Sequence, residues 1–269
     1  MMEKIKEFIE NAGWPRIIIA LFLLALFVAA PFVGVRVDAS LSDTLVRVGM
    51  NGILVLAMVP MVQSGCGLNF GLRLGIIAGL LGAVTSIQIG IRGGVGFLIA
   101  ALIAIPIAVV LGWLYGLLLN RVKGDEMMIA TYVGFSSVAL MCIAWLLLPF
   151  TSPTMIWGYG GSGLRTTISV EGFWLNALSK YLHIQIGEFF YLPLGMFVFF
   201  ALVTFLVWAF FRTKVGTAMT AVGSNPEFAR ASGINVDNMR TLSVVLSTVL
   251  GALGILVYEQ SFGFIQLYM

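Results

Sequence analysis

Long apolar runs, separated by short breaks of charge, glycine or proline, organise most of this chain. They lie at Ile17–Val35, Val46–Val62, Leu74–Ile89, Gly96–Leu119, Met128–Pro149, Phe189–Phe211 and Thr241–Tyr258. A bilayer core about 30 Å thick takes about 20 apolar residues in helical form, and each run is of that order. Lipid offers backbone N–H and C=O groups no partner, so each run is expected to be a helix. The alternating polar and apolar positions of a membrane barrel strand are absent. The pattern predicts an all-α, polytopic helical membrane protein with at least seven transmembrane helices, forming a single transmembrane domain over residues 1–269. Ahead of the first run, "MMEKIKEFIENAGW" mixes charge with Ile5, Phe8 and Ile9. That spacing fits an amphipathic helix lying on the membrane surface over residues 2–12. Lys4, Lys6 and Arg16 before an apolar run also suit a signal peptide, but the run is longer than a signal core, so an uncleaved span is expected.

Composition agrees with lipid as the solvent. Hydrophobic residues make up 60% of the chain and charged ones only 10%, with mean hydropathy +1.04. A soluble domain carries about 25% charged residues, so this chain has too few to cover a surface in water. The net charge of +3 gives no case for nucleic-acid binding. Cys66 and Cys142 lie in apolar surroundings and read as small buried hydrophobes, not as a disulfide framework or metal site. With His183 the single histidine, a histidine-based metal centre is excluded as a working reading.

Lysine and arginine set the expected orientation. With the N-terminus inside and one crossing per run, Lys4, Lys6, Arg16, Arg73, Arg121, Lys123, Arg212, Lys214, Arg230 and Arg240 fall in the cytoplasm. Arg36, Arg47, Arg92, Arg165 and Lys180 fall outside. Ten against five favours a cytoplasmic N-terminus.

Three segments depart from plain spans and turns. Residues 150–188 form a long external loop containing "GYGGSGLRTTISVEGFW", with a short interfacial helix expected near Phe173–His183; an ordered loop of that length suggests a docking surface. Between the second and third runs lies "QSGCGLNFGLRLG", Gln63–Gly75, with four glycines and polar Gln63, Ser64 and Asn69. Two readings stand side by side. A glycine-broken helix at membrane depth can line a cavity for a polar solute, with Gln63, Ser64, Asn69 and Phe70 as its path residues. Glycines can equally serve as small residues in a tight helix–helix contact.

The third segment is "AVGSNPEFARASGINV", Ala221–Val236, polar between two apolar runs. Asn225 is a good N-cap, Pro226 suits the first helical position and Glu227 favours the positive end of the helix dipole. Ser224 is the alternative cap, forming a capping box with Glu227. Gly233 is a natural left-handed stop. The helix so bounded is about two turns long, and isolated helices this short are marginal in water. It calls for a packing partner: Phe228 with Ala231 offers a small apolar face, Glu227 and Arg230 polar contacts. An ordinary interfacial helix closing the loop is the plainer reading.

Absences matter too. There is no phosphate-cradling glycine loop followed by Lys-Ser/Thr, no nucleophile elbow and no zinc signature. Carboxylates are scarce in the spans, with Asp125, Glu126 and Glu259 at their edges, so an ion-coupled transporter lacks its usual core groups. A solute path in this chain would draw its energy from a partner. An ion-coupled secondary transporter, or a structural or assembly subunit without a path, remain readings of other classes.

The stretch from Arg212 to Leu256 resembles the coupling-loop region of bacterial ABC importer permeases of the family serving ribose and other simple sugars, nucleosides and branched-chain amino acids. The matching residues are the Gly216 turn, "AVGSNPEFA" at Ala221–Ala229, "GINV" at Gly233–Val236 and "LGALGIL" at Leu250–Leu256. "GLNFG" at Gly67–Gly71 is similar to the family's Gly/Asn segment after the second span, with Phe70 and Arg73 departing from its commoner small and hydroxyl residues. The resemblance implies an ABC importer permease fold, type II-like, and a transport subunit that is not itself an enzyme. It implies that residues 212–240 form a cytoplasmic coupling segment in which Asn225, Pro226, Glu227, Phe228, Ala229, Arg230 and Gly233 meet an ATP-binding subunit. ATP and Mg would then be bound by that partner, with no cofactor or metal in this chain. Further implied partners are a second permease, identical or homologous, and an extracytoplasmic solute-binding protein. The setting implied is the bacterial inner membrane, multi-pass. Simple sugars come first as solute and nucleosides second, with branched-chain amino acids a further alternative, because "AVGSNPEFARASGINV" looks more like the sugar and nucleoside branches than the amino-acid branch; few charges in the spans also disfavour a strongly charged solute. Family members continue with further membrane helices after Thr241–Tyr258; this chain stops at "FGFIQLYM", so those C-terminal helices are expected to be missing from it.

Overall fold

A computed structural model describes residues 13–148, 167–179, 182–186 and 190–266. The surface helix expected over residues 2–12 and the first part of the external loop lie outside the described residues, as do Arg165 and Lys180. The helices in chain order are α1 (Trp14–Ala29, prolonged by a 3-10 turn at Ala30–Val33), α2 (Val37–Leu56), α3 (Val59–Gln63), α4 (Arg73–Ile89), α5 (Gly93–Arg121), α6 (Glu126–Leu147), α7 (Leu194–Phe211), α8 (Lys214–Ser224), α9 (Pro226–Ala231) and α10 (Val236–Phe262). Short strands β1 (Thr167–Ser169), β2 (Ile184–Ile186), β3 (Phe190–Leu192) and β4 (Phe264–Gln266) form two antiparallel pairs, β1 with β4 and β2 with β3. Among the described residues, seven helical segments are long and apolar enough to cross a membrane. Each contains most of one apolar run read from the sequence.

Boundaries shift for local reasons. The second span begins at Val37, well before the apolar run, because Asp38 sits favourably in the first turn of α2. It is interrupted between Leu56 and Val59 ahead of Pro60, which has no N–H to continue the ladder. The run expected from Phe189 starts as a helix only at Leu194, since Phe190–Leu192 are taken by β3 and Pro193 follows.

Two compact units are distinguished: residues 1–45 with 184–192, and residues 46–183 with 193–269. In the first, α1 buries no residue and is apolar all round, which suits lipid and not water. Its β2–β3 hairpin pairs Ile184 with Leu192, and the Tyr191 N–H donates to Ser42 Oγ at 3.0 Å.

The second unit is built on α4, α5 and α10, which pack on one another through small residues. A Cβ placed on Gly75 would lie 2.5 Å from the Thr248 carbonyl oxygen, and one on Gly79 2.7 Å from that of Ala252. One on Gly82 would lie 2.5 Å from the Ala100 carbonyl, one on Gly112 2.9 Å from Val245 Cα, and one on Gly116 3.0 Å from Thr241 Cα. Gly75 and Gly79, like Gly112 and Gly116, are four apart and so share a helix face. These are the small-xxx-small contacts by which helices associate where lipid supplies no hydrophobic drive. On α2, Gly49 and Gly52 face Met196 and Phe200 of α7 in the same way.

At the C-terminal end of α10 the chain folds over the helix ends. Val170 N–H donates to Gly263 O (3.0 Å), Asn176 N–H to Gln260 O (2.8 Å) and Leu178 N–H to Gln260 Oε1 (3.0 Å). Trp174 is buried there, edge-on to Phe97 with ring centroids 6.2 Å apart. Over the described residues of Phe173–His183 the expected interfacial helix is not formed; Glu171–Ser179 are successive turns. Gly172 (φ 82°) and Asn176 (φ 54°) take left-handed backbone conformations, and Gln260 claims the amides of Asn176 and Leu178.

Replacing Gly75 by valine is expected to cost about 1–3 kcal/mol, because overpacking here pushes on backbone and not on a flexible side chain. Gly94→Ala, where a Cβ meets nothing within 4 Å, serves as the control and leaves stability almost unchanged. Thermal unfolding in detergent compares the two, and equal midpoints would contradict the packing account.

Candidate functional site

The break between α3 and α4 is held by backbone conformation and by close approach. Gly65 (φ 74°) and Gly67 (φ 79°) adopt the left-handed region that glycine alone enters freely. A Cβ on Gly65 would stand 3.0 Å from Gly223 Cα of α8, so two glycine backbones lie against one another. The chain then passes through Asn69 and a 3-10 turn at Phe70–Leu72 into α4.

Two polar side chains at this break, Ser64 and Asn69, form a buried seam with two serines of α10. Ser64 Oγ lies 2.7 Å from Ser243 Oγ. Asn69 Nδ2 donates to Ser247 Oγ at 2.7 Å, and the Ser247 hydroxyl donates to the Ala57 carbonyl at 2.5 Å. Because the Ser247 proton is committed to Ala57, Asn69 presents its amide nitrogen to Ser247 and turns Oδ1 away. Among the described residues that oxygen has no hydrogen-bond partner, although Asn69 is only 2% exposed. The four candidate path residues are thus divided by the fold. Ser64 and Asn69 face inward and tie the break to α10, while Gln63 and Phe70 are exposed. Gly65 and Gly67 shape the break, and Gly75 makes the tight helix contact of the second reading.

Around the seam, charges pair across distant parts of the sequence. The Arg240 guanidinium binds the Glu126 carboxylate and donates from Nε to Cys66 Sγ at 3.3 Å. This pair is largely shielded, with side chains 12% and 21% exposed. Lys123 and Asp237 form a second pair at 2.7 Å that is open to solvent and contributes little. Asn120 Nδ2 reaches Thr241 Oγ1 (2.8 Å) and the Asp237 carbonyl (2.9 Å). Sequence reasoning counted Glu126 and Arg240 only as loop charges. They stand 114 positions apart, and no local pattern announces their meeting.

Arg73 likewise was counted only among the cytoplasmic charges. It opens α4, and its guanidinium lies over the Phe135 ring of α6, 4.3 Å from the centroid.

The segment Ala221–Val236 folds as two capped pieces. Thr213 caps α8 by accepting from Gly216 N–H, and Ser224 closes that helix with its hydroxyl on the Thr220 carbonyl (3.0 Å). Ser224 is therefore not the cap of the next helix. Asn225 is: its backbone is extended, and Oδ1 accepts from Phe228 N–H at 3.0 Å. Pro226 takes the first position, Glu227 the first turn, and Gly233 (φ 81°) follows the end, where Ile234 N–H donates to Ala229 O. The six-residue α9 is anchored by one side chain, Ala229, buried against Val222 and Val236 with Ile234 and Met239 beside them. The rest faces out. Phe228 is 67% exposed, and Glu227, Arg230 and Ala231 are exposed with it.

A family described as "Branched-chain amino acid transport system / permease component" matches residues 40–269, most of the chain. The nucleoside ABC transporter permease protein NupC of Lactococcus lactis subsp. cremoris (strain MG1363) is 36% identical over 92 residues. That stretch covers 34% of this chain and 29% of the relative, less than a third of its length. No solved structure matches.

Removing the α9 cap with Asn225→Ala is expected to cost about 1 kcal/mol locally. Hydrogen exchange should quicken across residues 226–232 and stay slow in α10; unchanged exchange at the Phe228 amide would show that the cap does not hold the helix.

Proposed function

This chain belongs to the family of branched-chain amino acid transport system permease components, and we propose that it forms part of the translocation path of an ATP-driven importer for a small polar solute. It is a transport subunit of a multi-pass membrane protein assembly, not an enzyme. The observation that carries the reading is the exposed Phe228 on a sharply capped helix that is itself seated on the membrane helices. A ring left two-thirds exposed on so short a helix suits insertion into a partner's groove. The partner is an ATP-binding subunit, which holds ATP and Mg, and Asn225, Pro226, Glu227, Phe228, Ala229, Arg230 and Gly233 build and present the contact.

The contacts of α9 suggest how a push would travel. Ala229 rests on Val222 of α8 and Val236 at the start of α10. Gly223 of α8 abuts Gly65 in the break, and α10 carries Ser243 and Ser247, which hold Ser64 and Asn69. A displacement of α9 therefore bears on both sides of the seam at once. That is the kind of packed, bistable element through which closure of the ATP-binding subunits would tilt spans and switch access.

In this reading the N-terminus is cytoplasmic, the membrane is the bacterial inner membrane, and a second permease completes the path. A solute-binding protein would deliver to the opposite face, where residues 167–179 fold over the end of α10. Gln63 and Phe70 line the path, with Ser64 and Asn69 as its supporting wall. Simple sugars and nucleosides are the leading solutes. The stretch similar to a nucleoside permease, together with the exposed Phe70 ring on which a base could stack, favours nucleosides.

Phe228→Asp, in cells carrying the partner subunits, is expected to lower ATP-dependent uptake by at least about tenfold, the scale of a lost interface anchor. Membrane abundance and thermal stability of the chain should stay unchanged, since Phe228 touches little of its own protein. Uptake that persists with residues 221–236 replaced by a flexible linker would overturn the importer reading.

A further inference from the structure

We propose that Arg73, laid over the Phe135 ring three positions after Phe70, faces the water-filled path and offers the solute a paired hydrogen-bond donor. The substrate part of this inference rests on the importer reading; the wet face of Arg73 does not.

Depth comes first. Helix α6 has 22 residues, about 33 Å at 1.5 Å per residue. It spans a hydrocarbon core of about 30 Å with little to spare. Phe135 follows Glu126 by nine positions, which puts it about 13 Å along the axis from that end. The Arg73 guanidinium stacks on that ring, so the cation sits well inside the span. Its stem is laid along α6, with Cδ 3.3 Å and Nη1 3.5 Å from where a Cβ on Gly134 would be. An arginine so held is not extended toward the membrane surface.

Charge comes second. The ion pairs formed among the described residues join Lys123 to Asp237 and Arg240 to Glu126, leaving Arg73 with an aromatic face as its contact. A guanidinium at this depth without a carboxylate does not face hydrocarbon; it faces a partner or water. Its surroundings are open, with Phe70 41% and Phe135 60% exposed beside it. The exposed face joining α6 to the 3-10 turn at Phe70–Leu72 is assigned to water, and a protein partner seated on it would leave position 73 unlabelled in the test below.

Geometry comes third. Stacking uses the face of the guanidinium and leaves its edge, a planar fork of N–H donors, free. Such a fork matches two acceptors lying side by side in a plane. A carboxylate has such an edge, and so has a 6-oxopurine such as guanine through its O6 and N7 atoms. The hydroxyls of a simple sugar, staggered about a puckered ring, match it less closely. Phe70 gives a flat ring an adjacent surface to stack on. The solute is thereby assigned a planar pair of acceptors.

Two measurements test this on the full chain in membranes that hold its native partners. The first replaces Cys66 and Cys142 by alanine and introduces Arg73→Cys, with Ala104→Cys, which is fully buried, as the inaccessible control. A membrane-impermeant charged methanethiosulfonate is expected to modify Cys at position 73 at least tenfold faster than at position 104. Equal rates, or modification at 73 by lipid-soluble N-ethylmaleimide alone, overturn the wet face whether or not the chain transports anything. The second measures uptake of a purine nucleoside, leucine and ribose by the parent, Arg73→Ala and Arg73→Lys. The expected result is transport of the purine nucleoside or of leucine, raised at least tenfold in KM by either substitution, because lysine lacks the fork. Ribose as the transported solute, or an unchanged KM in Arg73→Ala, overturns the donor role. Loss of all uptake in the parent with rapid labelling at 73 would sink the importer reading and leave the wet face standing.

Discussion

The close approach of backbones among α4, α5 and α10 is the contact on which the rest of this structure depends. In lipid, apolar side chains gain nothing by leaving the solvent, so helices must associate through packing and hydrogen bonds. Gly75, Gly79 and Gly82 on α4 and Gly112 and Gly116 on α5 let carbonyls and Cα atoms come to within contact of the helix opposite. Each is a place where even one methyl group meets backbone. The resulting three-helix core fixes α10 from Thr241 to Ala252, and everything with chemical character in the larger unit hangs on that stretch of helix.

Polar groups then find their places because α10 is fixed. Ser243 and Ser247 project toward the break and hold Ser64 and Asn69. Arg240, one turn earlier, gathers Glu126 and Cys66. Val236, at the start of the helix, receives Ala229 of α9. In the proposed importer this order along one helix is the line of transmission: motor contact, ion pair, seam. The seam is also incomplete, since the buried Asn69 Oδ1 has no partner among the described residues. An unsatisfied acceptor next to a glycine-shaped break is a weak point of the packing, and a segment that must move is best placed at such a point.

Much of this was legible in the sequence, and the division follows the range of the forces involved. Hydropathy and length predicted the seven spans because lipid imposes one solution on any apolar run. Asn225, Pro226 and Gly233 announced α9 because caps act within three or four residues. What stayed hidden was long-range. Ser64 meets Ser243 across 179 positions, and Arg240 meets Glu126 across 114. No local pattern encodes either. Arg73 was counted only as a cytoplasmic charge, which hid its contact with Phe135, and the turns over Glu171–Ser179 stand where a helix was expected, with Gln260, far along the chain, holding the amides of Asn176 and Leu178. Of the two readings of Gln63–Gly75, the close helix contact is seen at Gly75, while Gly65 and Gly67 set the break by their backbone conformation.

The central claim is that the exposed face of α9 is the contact with an ATP-driven motor. A photo-reactive amino acid placed at position 228, in living cells, tests it most directly. The account predicts a crosslinked adduct whose partner peptides carry a phosphate-binding glycine loop, formed at position 228 and not at the buried position 229. An adduct with lipid alone, or with a protein that binds no nucleotide, would contradict it.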